Sequence, residues 1–306
     1  MLRISDLNRG GLLTILDAAK RFKQAPMSKL GLLEGETVVL YFNKPSTRTR
    51  ISFETAIARL GGVPLSVGPR ELQLDRGESI EDTARVISAY ARAFVIRTFS
   101  DDDVRRFAAH SSIPVINALT DRHHPCQVLG DLMTMQEIWG ELRGRRLTYV
   151  GDGDNVANSL IEGCALLGVD ITIATPEGYE PDIGVVKSAR EIASTSGARI
   201  ELMQDPIKAV QGADAVYTDV WLSMGVPDDE RQKRMRDFAP FQVNASLMAR
   251  AQPDAVFMHC LPAHRGEEVT DEVIDGPQSR VLPQAANRLP TEQALLWALI
   301  TGALHE

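Results

Sequence analysis

Seven residues, KPSTRTR at 44–50, gather three cations and three hydroxyls between an apolar run and a helical pattern. Ser46 or Thr47 is placed to cap the following helix, which leaves its first amides pointing outward. Open amides and the helix dipole attract an anion, and a guanidinium adds paired donors suited to phosphate. Arg48 and Arg50 lie about 200° apart around a helix of 3.6 residues per turn, so both cannot face one ligand. Arg48 is the candidate anion ligand and Arg50 the candidate partner of a structural ion pair. The competing reading is an ordinary capped helix with exposed arginines.

Further candidates stand where apolar runs end. Arg97 closes FVIR, and DRHHPCQ places His124, Pro125 and Gln127 at a helix entry. Proline suits a first helical turn, having no amide to lose. His124 can donate to an oxygen gaining negative charge, and Gln127 offers donor and acceptor together; spacing does not separate His124 from His123. In VGDGDNVAN, Gly151 and Gly153 match a dinucleotide-binding turn, but Val156 occupies the third glycine position. The next run, ITIATP, ends without an acid for a ribose, so NAD is not expected. Asn155 at that helix entry could hold a carboxylate or an amine. Asp219, with Ser223 and Met224 in the loop beyond it, and Cys260 in FMHCLP, place a carboxylate and a thiol at run ends. Such a pair could grip an amine-bearing cation. Against these roles, Asp219 reads as a loop cap and Cys260 as a small buried residue. A metal set of His259, Cys260 and His264 is unfavourable if neighbouring strand residues face opposite ways.

These residues need a frame to bring them together. Apolar runs alternate with helical patterns: TVVLYF at 37–42, then a helix at 51–62; VPLSV, then SIEDTARVISAYA; AFVIRT at 93–98, then DDDVRRFAAH; IPVINA at 113–118, then PCQVLGDLMTMQEIWG. Near residue 140 the alternation restarts. This predicts an α/β chain of two doubly wound parallel-sheet domains, cut near 138–144, with ligands at the carboxyl ends of strands. The 306 residues suit two domains, and a formal net charge of −8 argues against nucleic acid and anionic membrane as partners. Three cysteines form no disulfide framework, and neither a leader pattern nor a membrane-spanning run is read, so a cytoplasmic location is expected.

In one order, KPSTRTR, HPCQ, SMG and HCLPAHRG closely resemble the aspartate/ornithine carbamoyltransferase family. STRTR with HPxQ marks the whole family, while DxWxSMG and HCLP mark its ornithine branch, and the likeness runs from about residue 2 to the C-terminus. The resemblance implies a carbamoyl phosphate-binding domain at 1–140, joined by a C-terminal helix at 288–306 that packs back on it. An ornithine-binding domain would span 141–287. It implies that Ser46, Thr47, Arg48 and Thr49 hold the phosphate, and that Arg97, His124 and Gln127 hold and polarise the carbamoyl oxygen. Arg288 would close that pocket. Asn155, Asp219, Ser223 and Met224 would bind the amino-acid end of L-ornithine, with Cys260 and Leu261 at the reacting centre and beside carbamoyl phosphate. Gln73 matches a loop that reaches a neighbouring subunit, within a homotrimer. The implied reaction carbamoylates the δ-amine of ornithine, giving citrulline and phosphate without metal or organic cofactor. Asp75, Asp154 and the PQAA run before Asn287 depart from the family's usual residues. Rival readings are a transferase for aspartate, putrescine or acylated ornithine, a dehydrogenase, and a non-catalytic subunit.

Overall fold

The β-branched and aromatic run TVVLYF is covered on both faces and forms strand β1 (Thr37–Phe42). It is the centre of a four-stranded parallel sheet with β2 (Val63–Val67), β3 (Ala93–Arg97) and β4 (Val115–Leu119), in the order β2-β1-β3-β4. Parallel neighbours require crossovers. These are α2 (Arg48–Arg59), α3 (Ile80–Tyr90) and α4 (Asp101–His110), preceded by α1 (Arg9–Gln24) and followed by α5 (Pro125–Trp139). Val39, Tyr41, Phe94 and Ile96 pack one sheet face against Ile87, Val104 and Phe107 of α3 and α4. The structure is a computed structural model that describes residues 1–26, 31–222 and 228–304.

A second parallel sheet takes the order β7-β6-β5-β8-β9, from β5 (Arg146–Val150), β6 (Asp170–Ala174), β7 (Ile200–Met203), β8 (Ala215–Thr218) and β9 (Val256–His259). Its helices are α6 (Asn155–Leu167), α7 (Ile183–Ser196), α8 (Pro206–Ala209), α9 (Asp228–Phe238), α10 (Ala245–Met248) and α11 (Asp271–Ile274), and α12 (Val281–Thr301) ends the chain. Val150, Val216 and Phe257 point to one face, among Leu247, Met248, Val273 and Ile274. Tyr149 and Tyr217, one residue out of phase, stack at 5.8 Å.

Two compact units result: residues 1–133 with 286–306, and residues 134–285. The divisions fall inside α5 and α12, the first of them a few residues before the turn at 138–144. The last part of α12 packs on the first unit: Lys23 Nζ donates to Asn287 Oδ1 at 2.7 Å, and Arg21 lies over Trp297. In each sheet the strand order reverses once, between β1 and β3 and between β5 and β8. A crevice opens at such a reversal because the flanking connections leave to opposite faces. Helix bounds differ from the sequence expectation: the helix placed at 51–62 begins at Arg48 and ends at Arg59, and the C-terminal helix placed at 288–306 begins at Val281 and ends at Thr301. Among the described residues, no helix is long and apolar enough to cross a membrane.

Candidate active site

The first reversal carries the basic heptad. Asn43 N donates to Arg97 O at 2.8 Å, tying the loop after β1 to the end of β3. Lys44 is buried, pairs with Asp121 and sits 4.1 Å from the centre of the Phe99 ring. The lysine therefore anchors the loop. Thr47 is the N-cap of α2, but its backbone is helical and its side chain caps nothing, contrary to the expected hydroxyl cap. Arg50 takes its expected structural role, donating to Glu54 Oε1 at 3.0 Å one turn on. Thr49 and Arg97 are buried.

His124 and Gln127 enter from the start of α5, where Gln127 N donates to His124 O at 3.1 Å. The neighbouring histidines separate: His123 Nε2 lies 4.0 Å from Asp101 of α4, whereas His124 stands in the field of Arg288, Arg97 and Arg48. Burial, then those three guanidinia, hold the His124 imidazolium far below its usual range. His124 is a neutral imidazole at pH 7. Arg288, 1% exposed, donates from one amino group to Gln127 Oε1 at 2.7 Å. The other serves Thr49 Oγ1 at 3.0 Å and Glu292 Oε1 at 2.6 Å. Gly130 makes room for it, since a Cβ there would meet Arg288 Cδ at 3.0 Å.

The second reversal carries an acidic half-site. Gly151 adopts φ +147°, which L side chains rarely reach, and Gly153 N donates to Tyr179 O at 2.9 Å. Asn155 opens α6, capped by Asp154, which accepts from Val156 N at 3.4 Å. Asp219, just past β8, accepts from Val220 N at 2.7 Å and from Cys260 Sγ at 2.8 Å, both at Oδ1. Burial raises the Tyr149 phenol well above its usual range, and Asp154, Asp219 and Asp152 add to the effect. Asp152 is paired with Arg234, so Asp154 and Asp219 carry the negative charge at this strand end that suits a cation. After β9 the chain turns at Leu261, φ 58°, whose N–H donates to His259 Nδ1 at 2.8 Å. That bond leaves the ring proton on Nε2, which faces Glu268 Oε1 at 3.2 Å.

Known proteins match the chain over nearly its whole length. The family model described as "Aspartate/ornithine carbamoyltransferase, carbamoyl-P binding domain" covers residues 1–137, and its "Asp/Orn binding domain" companion covers 143–299. The chain belongs to the aspartate/ornithine carbamoyltransferase family. Within it, the anabolic ornithine carbamoyltransferase of Pyrococcus furiosus is 51% identical, over 99% of this chain and 96% of that protein. The Bacillus subtilis ornithine carbamoyltransferase is 48% identical, over 98% and 93% respectively. Solved structures of carbamoyltransferases agree: the Pyrococcus furiosus enzyme has a TM-score of 0.94 with 99% and 96% coverage, at 51% identity. That from Gloeobacter violaceus has 0.89, with 98% coverage of each chain at 43% identity.

Against the family's motif pattern, the fold brings Thr49, Gln127 and Arg288 into direct contact and sets Arg48 and Arg97 about His124. It also joins Asp219 to Cys260. Gln73 lies exposed in a 3₁₀ turn, Gln73–Arg76. Ser223 and Met224 lie outside the described residues. The metal expectation changes in its membership. His259, Cys260 and Asp219 bring possible ligand atoms within 4.8 Å, because the chain leaves strand geometry at Cys260, while His264 groups with Glu267 and Glu268. The His259 ring and the Cys260 thiol are committed to the internal bonds just described. Motif reading missed the anchoring role of Lys44, and missed Glu292 and Asp131, whose Oδ1 accepts from Gln127 Nε2 at 2.8 Å. Glu292 had one visible signal, its place four residues after Arg288 on a helix.

Proposed function

We propose that the chain transfers the carbamoyl group of carbamoyl phosphate to the δ-amine of L-ornithine, giving L-citrulline and phosphate in arginine biosynthesis. The observation that carries this is the neutral His124 set among Arg48, Arg97 and Arg288. Three permanent cations suit a phosphate dianion, and a neutral imidazole beside them suits a carbonyl oxygen. Residues 1–140 with 288–306 take carbamoyl phosphate: Ser46, Thr47, Arg48 and Thr49 hold the phosphate, and Arg97, His124, Gln127 and Arg288 hold the carbamoyl oxygen. Residues 141–287 take ornithine through Asn155, Asp219, Ser223 and Met224, with Cys260 and Leu261 at the carbamoyl carbon.

The chemistry follows from charge. The amine must lose its proton before it attacks, from an ordinary pKa of about 10.4. Nearby guanidinium charge favours the neutral amine by like-charge repulsion. Attack pushes negative charge onto the carbamoyl oxygen, where His124 and Arg97 donate, and then onto the leaving phosphate, where Arg48 and the hydroxyls donate. Guanidinium charge serves the leaving group here, so the reading calls for no cofactor. The protein is read as cytoplasmic and as a homotrimer.

Purified protein should be assayed for carbamoylated product with ornithine, putrescine, N-acetylornithine and aspartate side by side. Citrulline from ornithine should exceed every other product by orders of magnitude. Preference for another amine would reassign the acidic half-site, and no product at high enzyme would revive the non-catalytic reading.

A further inference from the structure

Arg288 is held by its own helix as much as by the anion half-site. Glu292, one turn along α12 and fully buried, accepts from the Arg288 amino group that also serves Thr49. Beyond Ser52 of α2, which lies near enough to pull on the carboxyl, the second oxygen, Oε2, has no hydrogen-bond partner among the described residues, and neither does Arg288 Nε. The chain thus buries a carboxylate whose main polar contact is one edge of a guanidinium. Burying an ion pair costs more desolvation than it returns unless the geometry is put to use. We propose that Glu292 is a positioning residue for carbamoyl phosphate, its carboxylate holding the Arg288 fork on Gln127 and Thr49. This rests on the carbamoyl-transfer reading above.

Two orientations of the fork would otherwise compete. Among the described residues, the Gln127 amide is held by Asp131 Oδ1, which accepts from Nε2 at 2.8 Å, and by the fork itself, and Thr49 offers a rotating hydroxyl. Among the described residues, only Glu292 offers Arg288 a charged acceptor directly, at 2.6 Å. The other groups near the pair are Cys126 and Asp131 of α5 and Ser52 of α2, with the Met1 ammonium beyond Cys126. The Cys126 thiol is pushed far up by burial and stays neutral. Burial also pushes Glu292 up to about 7, against the pull of Arg288 and Ser52. The carboxylate is therefore complete only on the alkaline side of neutrality.

The test is steady-state citrulline formation by the full chain and its Glu292→Gln and Glu292→Leu variants across the neutral range. Glu292→Leu should raise the carbamoyl phosphate KM about tenfold at alkaline pH, the size of one charged hydrogen bond, with the ornithine KM within about twofold. Glu292→Gln keeps the shape of the protonated acid. Its KM for carbamoyl phosphate, relative to the natural chain, should be near unity at about pH 6 and reach about fivefold by about pH 8. Taking the ratio cancels the ionisation of the ligand itself. A ratio flat with pH, equal losses in both KM values, or tighter binding by Glu292→Gln would overturn the proposal. If the natural chain made no citrulline, the carbamoyl-transfer reading would fall by itself. The same ratio, measured by calorimetry with inorganic phosphate, would then decide the role of Glu292.

Discussion

At the scale of single residues, the unusual feature is a histidine whose surroundings disfavour a second ring proton. Burial removes water from the His124 ring, and Arg48, Arg97 and Arg288 oppose any added positive charge. A neutral imidazole donates from one nitrogen without competing for the phosphate as a fourth cation would. His124→Ala removes a preorganised donor at an oxygen that gains charge, so kcat should fall about 10²–10³-fold. Because the ring stays neutral, the natural chain's kcat profile should show no inflection at about 6.5, the ordinary histidine value. Steady-state rates from acid to alkaline pH check both statements. A loss under about threefold, too small for such a donor, would remove His124 from the reacting oxygen.

Elements place these residues through backbone geometry that sequence shows only in part. The strand runs, the strand-helix alternation and the two sheets were legible because buried parallel strands are continuously apolar and turns are marked by glycine and proline. The start of α2 was less legible: its N-cap residue, Thr47, makes no capping hydrogen bond, and the polar Arg48 and Arg50 break the apolar pattern there. Glu292 was hidden for a different reason. A buried acid has the same letter as an exposed one, and only the packing of α12 shows which it is. Gly153 lies between these cases. Its pattern resembled a nucleotide turn, yet its reason is steric: a Cβ would lie 2.4 Å from Pro181 N and 2.5 Å from Tyr179 O. Those are backbone atoms, so the loop after β5 must move to admit a methyl. Gly153→Ala should therefore cost about 1–3 kcal/mol in urea unfolding. It should also raise the ornithine KM, because Asn155 follows two residues later, while the carbamoyl phosphate KM stays put. Unchanged stability and an unchanged ornithine KM together would show that the loop yields freely.

At the scale of the whole molecule, the first unit exposes surface that a parallel sheet usually covers. β2 is an edge strand, and on one of its faces Val63 is 57% and Leu65 49% exposed. Pro64 between them lacks a donor, which an edge tolerates. Ile51 on α2 is 58% exposed, and Tyr90, at the end of α3, is 78% exposed. Exposed apolar side chains on an edge strand favour contact with another chain. The exposed Gln73 turn follows β2 within the same unit. If three chains associate through this edge, Gln73 of one chain is available to its neighbour, as the family resemblance implies. Leu65→Glu places a charge in the contact without touching any residue assigned to a ligand. Light scattering should give about three chain masses for the natural protein, and a smaller species for the variant, since a buried unpaired charge costs several kcal/mol. Circular dichroism should show the variant folded. Its carbamoyl phosphate KM should rise if Gln73 acts across the contact, and stay unchanged if the contact serves assembly alone. A variant that keeps the natural mass would move the association surface away from β2.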